Sequence, residues 1–280
     1  MPISAKLLEK RVTDLSHLPT LPGVVHNISK LADDKKSSAA DVAEIISTDQ
    51  VITAKVLRLV NSPVYGFPGR ISSITHALVL LGFNVVKGLV LGTAVFDNLG
   101  KQSEGMWEHS LGCAVLARRI AVAKGIHDVE EVMIAGLLHD FGKVVLSFLA
   151  PADYQQAVEI TKRKHCHIAL AERDVFTVDH CRVASWLADE WHLPPRLADP
   201  VTYHHRPDLA KRCKDVTAVV HLADILARAL NFGYPGDDTM PNLDETVAAN
   251  LGISDEQLGN IVKEAEVEYT SGLDIFASGD

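Results

Sequence analysis

Residues 128–149 read DVEEVMIAGLLHDFGKVVLSFL, and this stretch decides the fold. Asp128 and Glu131 precede the apolar run 132–138 with the spacing of a capping box, which predicts that a helix starts there. The run is too apolar for a surface, so we expect this helix to be buried and to end near Gly142, a suitable C-cap. The imidazole of His139 and the carboxylate of Asp140, which come just before that glycine, would then lie at the end of a core helix.

Helical periodicity extends outward from this stretch in both directions, whereas the strict alternation typical of strands is hard to find. We therefore predict an all-α protein. The polar stretch 101–105 is the best candidate boundary between a helical N-terminal subdomain, residues 1–100, and a C-terminal helical domain, residues 101–280. Predicted helices begin near Val24 and cover 41–46 (with Ser37 or Ser38 as its cap), 51–59, 106–124, 151–164, 166–175, 179–191, 195–203, 215–230 and 255–269.

Composition excludes several classes of protein. The chain has 280 residues, 47% of them hydrophobic and 22% charged, which is enough apolar material for a core and excludes global disorder. The net charge of −9 argues against a nucleic-acid-binding protein, because such proteins carry a basic surface. The four cysteines form no C-x-x-C pair, so we expect neither a disulfide framework nor a thiolate zinc site, and a reducing cytoplasm fits them.

One apolar segment, 77–96, is long enough to span a bilayer. Lys87 lies near its centre, which costs roughly 2.5–3.5 kcal/mol on an insertion scale, and three glycines interrupt it. We therefore predict two buried helical pieces that meet near Gly82 and Phe83. The N-terminus shows no apolar signal region, so we expect a cytoplasmic protein without a membrane segment.

Ionisable residues interrupt the apolar faces of the predicted helices. His109 and His180 each lie on such a face, and Asp224 lies on the stripe that starts at Val216. A carboxylate in a core is costly unless something neutralises it. Imidazoles and carboxylates that converge from several helices would be satisfied together by one or two divalent ions of Fe, Mn, Zn or Ni.

Each of these residues also has a simpler explanation. A single histidine on an apolar face is more often a hydrogen-bonded core residue than a ligand. Asp224 could form an ion pair with Arg228, which lies one helical turn further along the chain. His204 and His205 could occupy a solvated turn before Pro207. The joint pattern favours a metal site because several coincidences would otherwise be needed. We treat the other eight histidines as structural: His17, His26, His76, His127, His165, His167, His192 and His221.

Longer motifs support the same interpretation. They are LPTLPGVV (18–25), STDQVITAKVLRLVNSPVYG (47–66), ISSITHALVLLGFNVVKGLVLG (71–92), VDHCRVASWLADEWHLP (178–194) and YHHRP (203–207). With them the chain resembles, over about residues 15–230, the HDOD family, the HD-related output domain of bacterial signalling. The order His109, His139-Asp140, Asp224 resembles the wider HD superfamily of metal-dependent phosphohydrolases.

The resemblance implies a multi-helix HD-type domain and a set of metal ligands. The H-D-x-G-K pattern at 139–143, His180 with a small residue four positions on, and the paired histidines are similar to motifs of the HD-GYP phosphodiesterases. By that resemblance, a first metal would be held by His109, His139, Asp140 and Asp224. Asp140 would bridge to a second metal held by His180, His204 and His205.

Two departures limit this carry-over. The triplet Gly233-Tyr234-Pro235 lies after Asp224 instead of just after the paired histidines, so we treat it as a coincidence. Gly105 stands four residues before His109, where a third metal would need a carboxylate, so two metals are the limit.

Besides Asp140, the resemblance makes Lys143 a catalytic candidate that would pair with a substrate phosphate. Lys143 could instead be a cation at a helix C-terminus.

Two functions of different class remain open. The first is a metal-dependent phosphohydrolase, for example a phosphodiesterase acting on a nucleotide or a related phosphate ester. The second is a non-catalytic signalling module, with a structural metal or none, whose N-terminal half engages partners. We predict a signalling protein with a metal site and leave catalysis undecided. Its partner would be a signalling protein or a small phosphorylated ligand, with neither nucleic acid nor membrane involved.

Overall fold

The structure is a computed structural model that describes residues 4–14, 23–31, 38–99 and 105–277. Within these ranges the chain is helical and contains no strand, which confirms the all-α prediction. The N-terminal helices are α1 (Ala5–Thr13), α2 (Gly23–Leu31), α3 (Ala39–Ser47), α4 (Gln50–Val60), α5 (Ile74–Leu81) and α6 (Phe83–Leu99). The C-terminal helices are α7 (Met106–Ala123), α8 (Val129–Leu138), α9 (Phe141–Leu149), α10 (Pro151–Lys164), α11 (Ile168–Phe176), α12 (His180–Glu190), α13 (Pro195–Tyr203), α14 (Lys214–Ala229), α15 (Glu245–Leu251) and α16 (Asp255–Ala277), with a 3₁₀ turn at Pro207–Leu209.

Local sequence signals fix several of these helix ends. Ser38 caps α3 through a complete capping box, in which its hydroxyl accepts from the Asp41 backbone N–H and its own N–H donates to the Asp41 carboxylate at 2.8 Å. Gly82, with φ of 82°, separates α5 from α6. The predicted break of the apolar segment near Gly82 and Phe83 is therefore confirmed. The predicted boundary at 101–105 lies, except for its last residue, outside the described residues.

The two halves of the chain share one continuous core. Helix α6 packs against α8 and α9, and α1 packs against α12. Lys87 on α6 is fully buried and donates hydrogen bonds to the carbonyl oxygens of Trp191 at 2.7 Å and His192 at 3.2 Å. The ammonium therefore ties the N-terminal helices to the end of α12.

The centre of the C-terminal part is α7, which packs against α8, α14 and α16. Helices α8 and α9 together form a 21-residue stretch, Val129–Leu149, that is long and apolar enough to cross a membrane. In this structure 89% of its most apolar window is buried within the fold, as expected for a core segment. The break between the two helices places residues 139 and 140 in the middle of this core.

Two of the local predictions around this break are wrong. Helix α8 does start at Val129 as predicted, but the capping box does not form. Asp128 adopts a left-handed conformation (φ of 54°) and makes no side-chain cap, and the Glu131 side chain binds Asn84 at 2.8 Å and Arg196 at 3.0 Å. Gly142 does not cap α8, because α8 ends before it and α9 begins at residue 141. Gly142 instead lies in the first turn of α9.

Candidate metal centre

The fold brings all seven predicted metal ligands together in one buried cluster. They come from α7, from the α8–α9 break, from the first residue of α12, from the end of α13 and from α14. Four of the five imidazoles and both carboxylates are at most 3% exposed, whereas His205 lies at the edge of the cluster. The members are His109, His139, Asp140, His180, His204, His205 and Asp224.

One half of the cluster lies between α7, α8 and α14. The Nε2 atom of His109 is 3.1 Å from Asp224 Oδ1 and 3.7 Å from Asp140 Oδ2. The Nε2 atom of His139 is 3.2 Å from Asp140 Oδ2 and 3.8 Å from Asp224 Oδ1. Two imidazoles and two carboxylates therefore surround one point, which we call the first position.

The other half lies between α12 and the end of α13. Asp140 Oδ1 is 3.4 Å from His180 Nε2 and 3.5 Å from His204 Nε2. The Nε2 atoms of His180 and His205 are 3.1 Å apart. We call this point the second position. Asp140 lies between the two positions and faces each with a different oxygen.

Hydrogen bonds behind the cluster fix the orientation of three imidazoles. Nδ1 of His139 contacts the Gly136 carbonyl oxygen at 2.7 Å, and Nδ1 of His204 contacts the Pro200 carbonyl oxygen at 3.1 Å. Because a carbonyl oxygen only accepts, each Nδ1 carries a proton and each Nε2 faces the cluster. Nδ1 of His180 lies 2.6 Å from Oε2 of the buried Glu172 carboxyl, which also accepts from the His180 backbone N–H at 2.8 Å. Burial raises the pKa of this carboxyl to about 8.

Several polar atoms at the centre of the cluster are buried and make no hydrogen bond. They include His139 Nε2, Asp140 Oδ1 and His205 Nδ1. Leaving such groups unpaired typically costs about 1–3 kcal/mol each. A divalent cation would satisfy them together, and nitrogen and oxygen donors suit the transition metals. The residues present therefore fit a metal centre.

The charge states of these groups also suit metal binding, which requires deprotonated ligands. Burial lowers the pKa of four imidazoles, those of His109, His180, His204 and His205. Burial alone would raise the pKa of Asp140, but His139 and Lys143 bring it well below its usual value. Burial would likewise raise the pKa of Asp224, but Arg228 and His109 bring it well below its usual value. His139 differs: burial acts to lower its pKa, but the Asp140 carboxylate raises it well above its usual value.

Comparison with known proteins identifies the family. The family model of the HDOD domain matches residues 18–207. The chain belongs to the HDOD domain family. An HDOD domain protein of unknown function from Geobacter sulfurreducens is 29% identical, with a TM-score of 0.62 over 93% of this chain and 89% of that one.

Two further solved structures share the HDOD fold at lower identity. A "Putative phosphohydrolase" from Shewanella amazonensis SB2B is 22% identical, with a TM-score of 0.69 over 96% of both chains. A "Putative signal transduction protein" from Marinobacter aquaeolei VT8 is 20% identical, with a TM-score of 0.70 over 94% of this chain and 60% of that one.

An uncharacterized protein of Treponema pallidum (strain Nichols) is 23% identical over 237 residues, which are 83% of this chain. The chain spans about half, 46%, of that relative's length.

Lys143 of this HDOD protein is fully buried in the first turn of α9. Its ammonium is 2.6 Å from Asp140 Oδ2 and donates to the Pro235 carbonyl oxygen at 3.0 Å. The interpretation as a cation at a helix C-terminus is wrong, because the residue stands at the start of its helix. The contact of Lys143 with a substrate phosphate stays a prediction.

The triplet that we treated as a coincidence lies beside the histidine and aspartate cluster. Gly233 has φ of 67°, and a Cβ there would stand 2.2 Å from the backbone nitrogen of His109. The Tyr234 N–H donates to the Gly105 carbonyl oxygen at 2.9 Å. With the Pro235–Lys143 bond, the segment closes one side of the first position.

Sequence reasoning missed several residues that support the HDOD centre. Glu172 falls on the apolar stripe of α11 between Ile168 and Val175, and this placement was the signal that could have found it. His167 was treated as structural, yet its ring lies 4.5 Å from the His205 ring, centroid to centroid. His221, also treated as structural, contacts the His204 carbonyl oxygen through Nδ1 at 2.6 Å and so positions that ligand.

The ion pair between Arg228 and Asp224, which we named as the simpler explanation for this buried carboxylate, is formed in the structure. Its Nε is 3.1 Å from Asp224 Oδ1, and its Nη1 is 3.3 Å from Asp237 Oδ1. Asp224 therefore takes part in both an ion pair and the histidine cluster.

A cavity of about 510 Å³ borders the second position. His205, Cys181 and His167 form part of its inner wall, and Arg206 and Arg173 stand at its rim. Arg173 pairs with Asp179, whereas Arg206 is exposed. The cavity therefore adjoins the edge of the cluster at His205.

Proposed function

We propose that this HDOD protein is a bacterial signal-transduction protein whose centre binds one or two divalent transition-metal ions and hydrolyses a phosphate ester. The observation that carries the proposal is the buried cluster itself, in which His139, His180 and His204 all turn Nε2 inward because a fixed acceptor holds Nδ1. The words "phosphohydrolase" and "signal transduction" in the names of two fold neighbours support the same class.

The ligands would divide as the two halves of the cluster do. His109, His139 and Asp224 would hold an ion of Fe, Mn, Zn or Ni at the first position. His180, His204 and His205 would hold one at the second position, and Asp140 would contact both. Such ions, when bound, supply Lewis acidity for a phosphoryl oxygen and lower the pKa of the attacking water.

The remaining residues would bind substrate and hold the carboxylates in place. Arg206, at the rim of the cavity, presents a planar guanidinium that suits a phosphate group. Lys143 and Arg228 hold Asp140 and Asp224 by charge-assisted bonds, so each carboxylate keeps the orientation that a ligand needs. Burial of the cluster limits the access of bulk water.

One observation favours a second candidate, a non-catalytic signalling module. Lys143 and Arg228 already compensate the charges of Asp140 and Asp224, so the cluster can persist without hydrolysing anything. In that case the metal would be structural or absent, and partners would recognise the helical surface.

Elemental analysis and a hydrolysis assay on the same untagged protein separate these functions. The proposal expects one to two ions per chain, and hydrolysis of para-nitrophenyl phosphate or its bis-ester that Asp140→Asn abolishes. His76→Ala serves as the matched control, because His76 is exposed and far from the cluster in sequence. Bound metal without hydrolysis of any phosphate ester would favour the non-catalytic module. A protein that takes up no Fe, Mn, Zn or Ni would overturn the proposed metal site.

A further inference from the structure

Cys181 lies beside the second position. It follows His180 in the first turn of α12, and its side chain is almost fully buried. Its Sγ atom is 3.9 Å from Nε2 and 4.0 Å from Nδ1 of His204. Sγ and one nitrogen from each of His180, His204 and His205 all lie within 4.8 Å of one another.

These separations are close to those of a tetrahedral metal site. Zinc binds nitrogen at about 2.0–2.1 Å and sulfur at about 2.3 Å, so neighbouring ligand atoms stand roughly 3.3–3.6 Å apart. The His180–His205 nitrogen pair at 3.1 Å and the Cys181–His204 pair at 3.9 Å fall on either side of that range. Shifts of a few tenths of an ångström would bring these two pairs to ligand spacing.

A second observation points to a ligand at this position. Asp140 Oδ1 is buried, makes no hydrogen bond and faces His180 and His204 at 3.4 and 3.5 Å. His205 also presents Nε2 to this position, 3.1 Å from His180 Nε2. The thiol is therefore not an isolated cysteine, because it adjoins a group of polar atoms that need a cation.

We propose that Cys181 is a ligand of the second position and makes it a mixed imidazole–thiolate site. The inference rests on the proposed function, which supplies the metal. On binding, the sulfur–metal bond forms as the thiol proton passes to solvent. A thiolate is a soft ligand, so this position would prefer zinc or iron to manganese.

This inference revises an expectation from the sequence. The absence of a C-x-x-C pair argues against a site built from several thiolates, but it says nothing about one cysteine among histidines. The second half of the cluster contributes its thiol from the helix that already carries His180. Spacing along the chain could not reveal this, because His204 and His205 reach Cys181 only through the packing of α12 and α13.

Cobalt substitution tests the proposal directly. Metal-free full-length protein is titrated with Co²⁺, and its absorption is recorded in the visible and near ultraviolet. We expect a thiolate-to-cobalt charge-transfer band in the wild type. Cys181→Ser should lose the band, keep its cobalt at the first position, and reduce the preference for zinc over manganese at least about tenfold.

Cys113→Ser is the matched control. Cys113 is also buried and adjoins His139 at the first position, but it belongs to none of the clusters of candidate ligands. Its replacement should leave the charge-transfer band unchanged. A band that survives Cys181→Ser, or that is absent from wild-type protein with bound cobalt, would overturn the inference and leave the proposed function intact. A protein that binds no cobalt and no other transition metal would overturn both.

A measurement on the wild type does not depend on the variant's folding. Cys181 borders the cavity but is largely buried, so iodoacetamide should alkylate it slowly yet measurably in the metal-free protein. Zinc should protect it, as judged by mass spectrometry of the peptide that contains residue 181. Equal alkylation with and without bound zinc would contradict a sulfur–metal bond.

Discussion

Gly142 of α9 lies directly against the backbone of His180 of α12. A Cβ at Gly142 would stand 2.1 Å from the His180 carbonyl oxygen, which is far inside van der Waals contact. The close approach of these two helices sets the distance between Asp140, two residues before the glycine, and the His180 imidazole. The glycine of the H-D-x-G-K pattern is therefore explained by helix packing, not by a helix cap.

Gly142→Ala should separate α9 from α12 and weaken the metal centre. Overpacking of this kind typically costs about 1–3 kcal/mol in the free energy of unfolding. Metal affinity should fall most at the second position, because His180 moves relative to Asp140. Urea unfolding and metal titration measure the two effects.

Gly259→Ala is the control. Nothing lies within 4 Å of the position that its Cβ would take, and alanine in α16 should raise the free energy of unfolding by up to about 1 kcal/mol. Equal stability of wild type and Gly142→Ala would contradict the packing argument.

Glu172→Gln should weaken metal binding at the second position and spare the first. The Glu172 carboxyl accepts from His180 at both Nδ1 (2.6 Å) and the backbone N–H (2.8 Å), and hydrogen-bonding partners of metal ligands typically contribute 10–100-fold to metal affinity. Competition with a chelator measures the affinity of each position. Asp174→Asn, which changes an exposed acid paired with Lys164, should have no effect. An unchanged second-position affinity would show that Glu172 serves packing alone.

The helices and the seven predicted ligands could be found from the sequence because both leave a periodic signal. His109 and Asp224 stand out as the polar members of apolar stripes, and the family motifs supplied the order of the rest. Helix ends were predictable where a local cap decides them, as at Ser38. At Asp128 the helix start was predictable but the capping box was not, because Asn84 and Arg196 bind the Glu131 side chain that the box needs.

The supporting residues could not be predicted because their roles arise only in three dimensions. Lys143 and Pro235 are 92 positions apart, and their hydrogen bond exists because the 233–235 segment folds back onto α7. Cys181 is a single cysteine without a partner in sequence. Glu172 left a signal, a carboxylate on an apolar stripe, but its target, His180, lies on the next helix.

The metal-free protein should lose stability as the pH falls below about 6.5, the ordinary pKa of histidine. Burial lowers the pKa of His109, His180, His204 and His205, so below that pH the unfolded chain binds more protons than the folded chain. Because their pKa values are lower in the folded chain than in the unfolded chain, these imidazoles stabilise the fold above the unfolded pKa. This stabilisation is lost as the pH falls.

Thermal unfolding between about pH 7 and about pH 5 measures this loss. Each proton difference changes the free energy of unfolding by about 1.4 kcal/mol per pH unit. His180→Gln should make the dependence shallower, whereas His76→Gln, at an exposed position, should leave it unchanged. A stability that is flat or rises on acidification would contradict the lowered pKa values of these four imidazoles.

Lys87→Met should destabilise the fold without removing the metal. The Lys87 ammonium binds the carbonyl oxygens of Trp191 and His192 at the C-terminal end of α12, the helix whose first residue is His180. Methionine has a similar length but donates no hydrogen bond, and leaving buried acceptors unpaired costs about 1–3 kcal/mol. Metal content should remain, because the ligands lie at the other end of α12.

Urea unfolding and elemental analysis of Lys87→Met check the two halves of this prediction. Lys162→Met, on the exposed face of α10, should change the free energy of unfolding by less than about 0.5 kcal/mol. A Lys87→Met protein as stable as the wild type would mean that the cost of burying the ammonium cancels its two hydrogen bonds. Loss of metal together with stability would instead show that Lys87, at the C-terminal end of α12, helps to control the position of His180 at the other end of that helix.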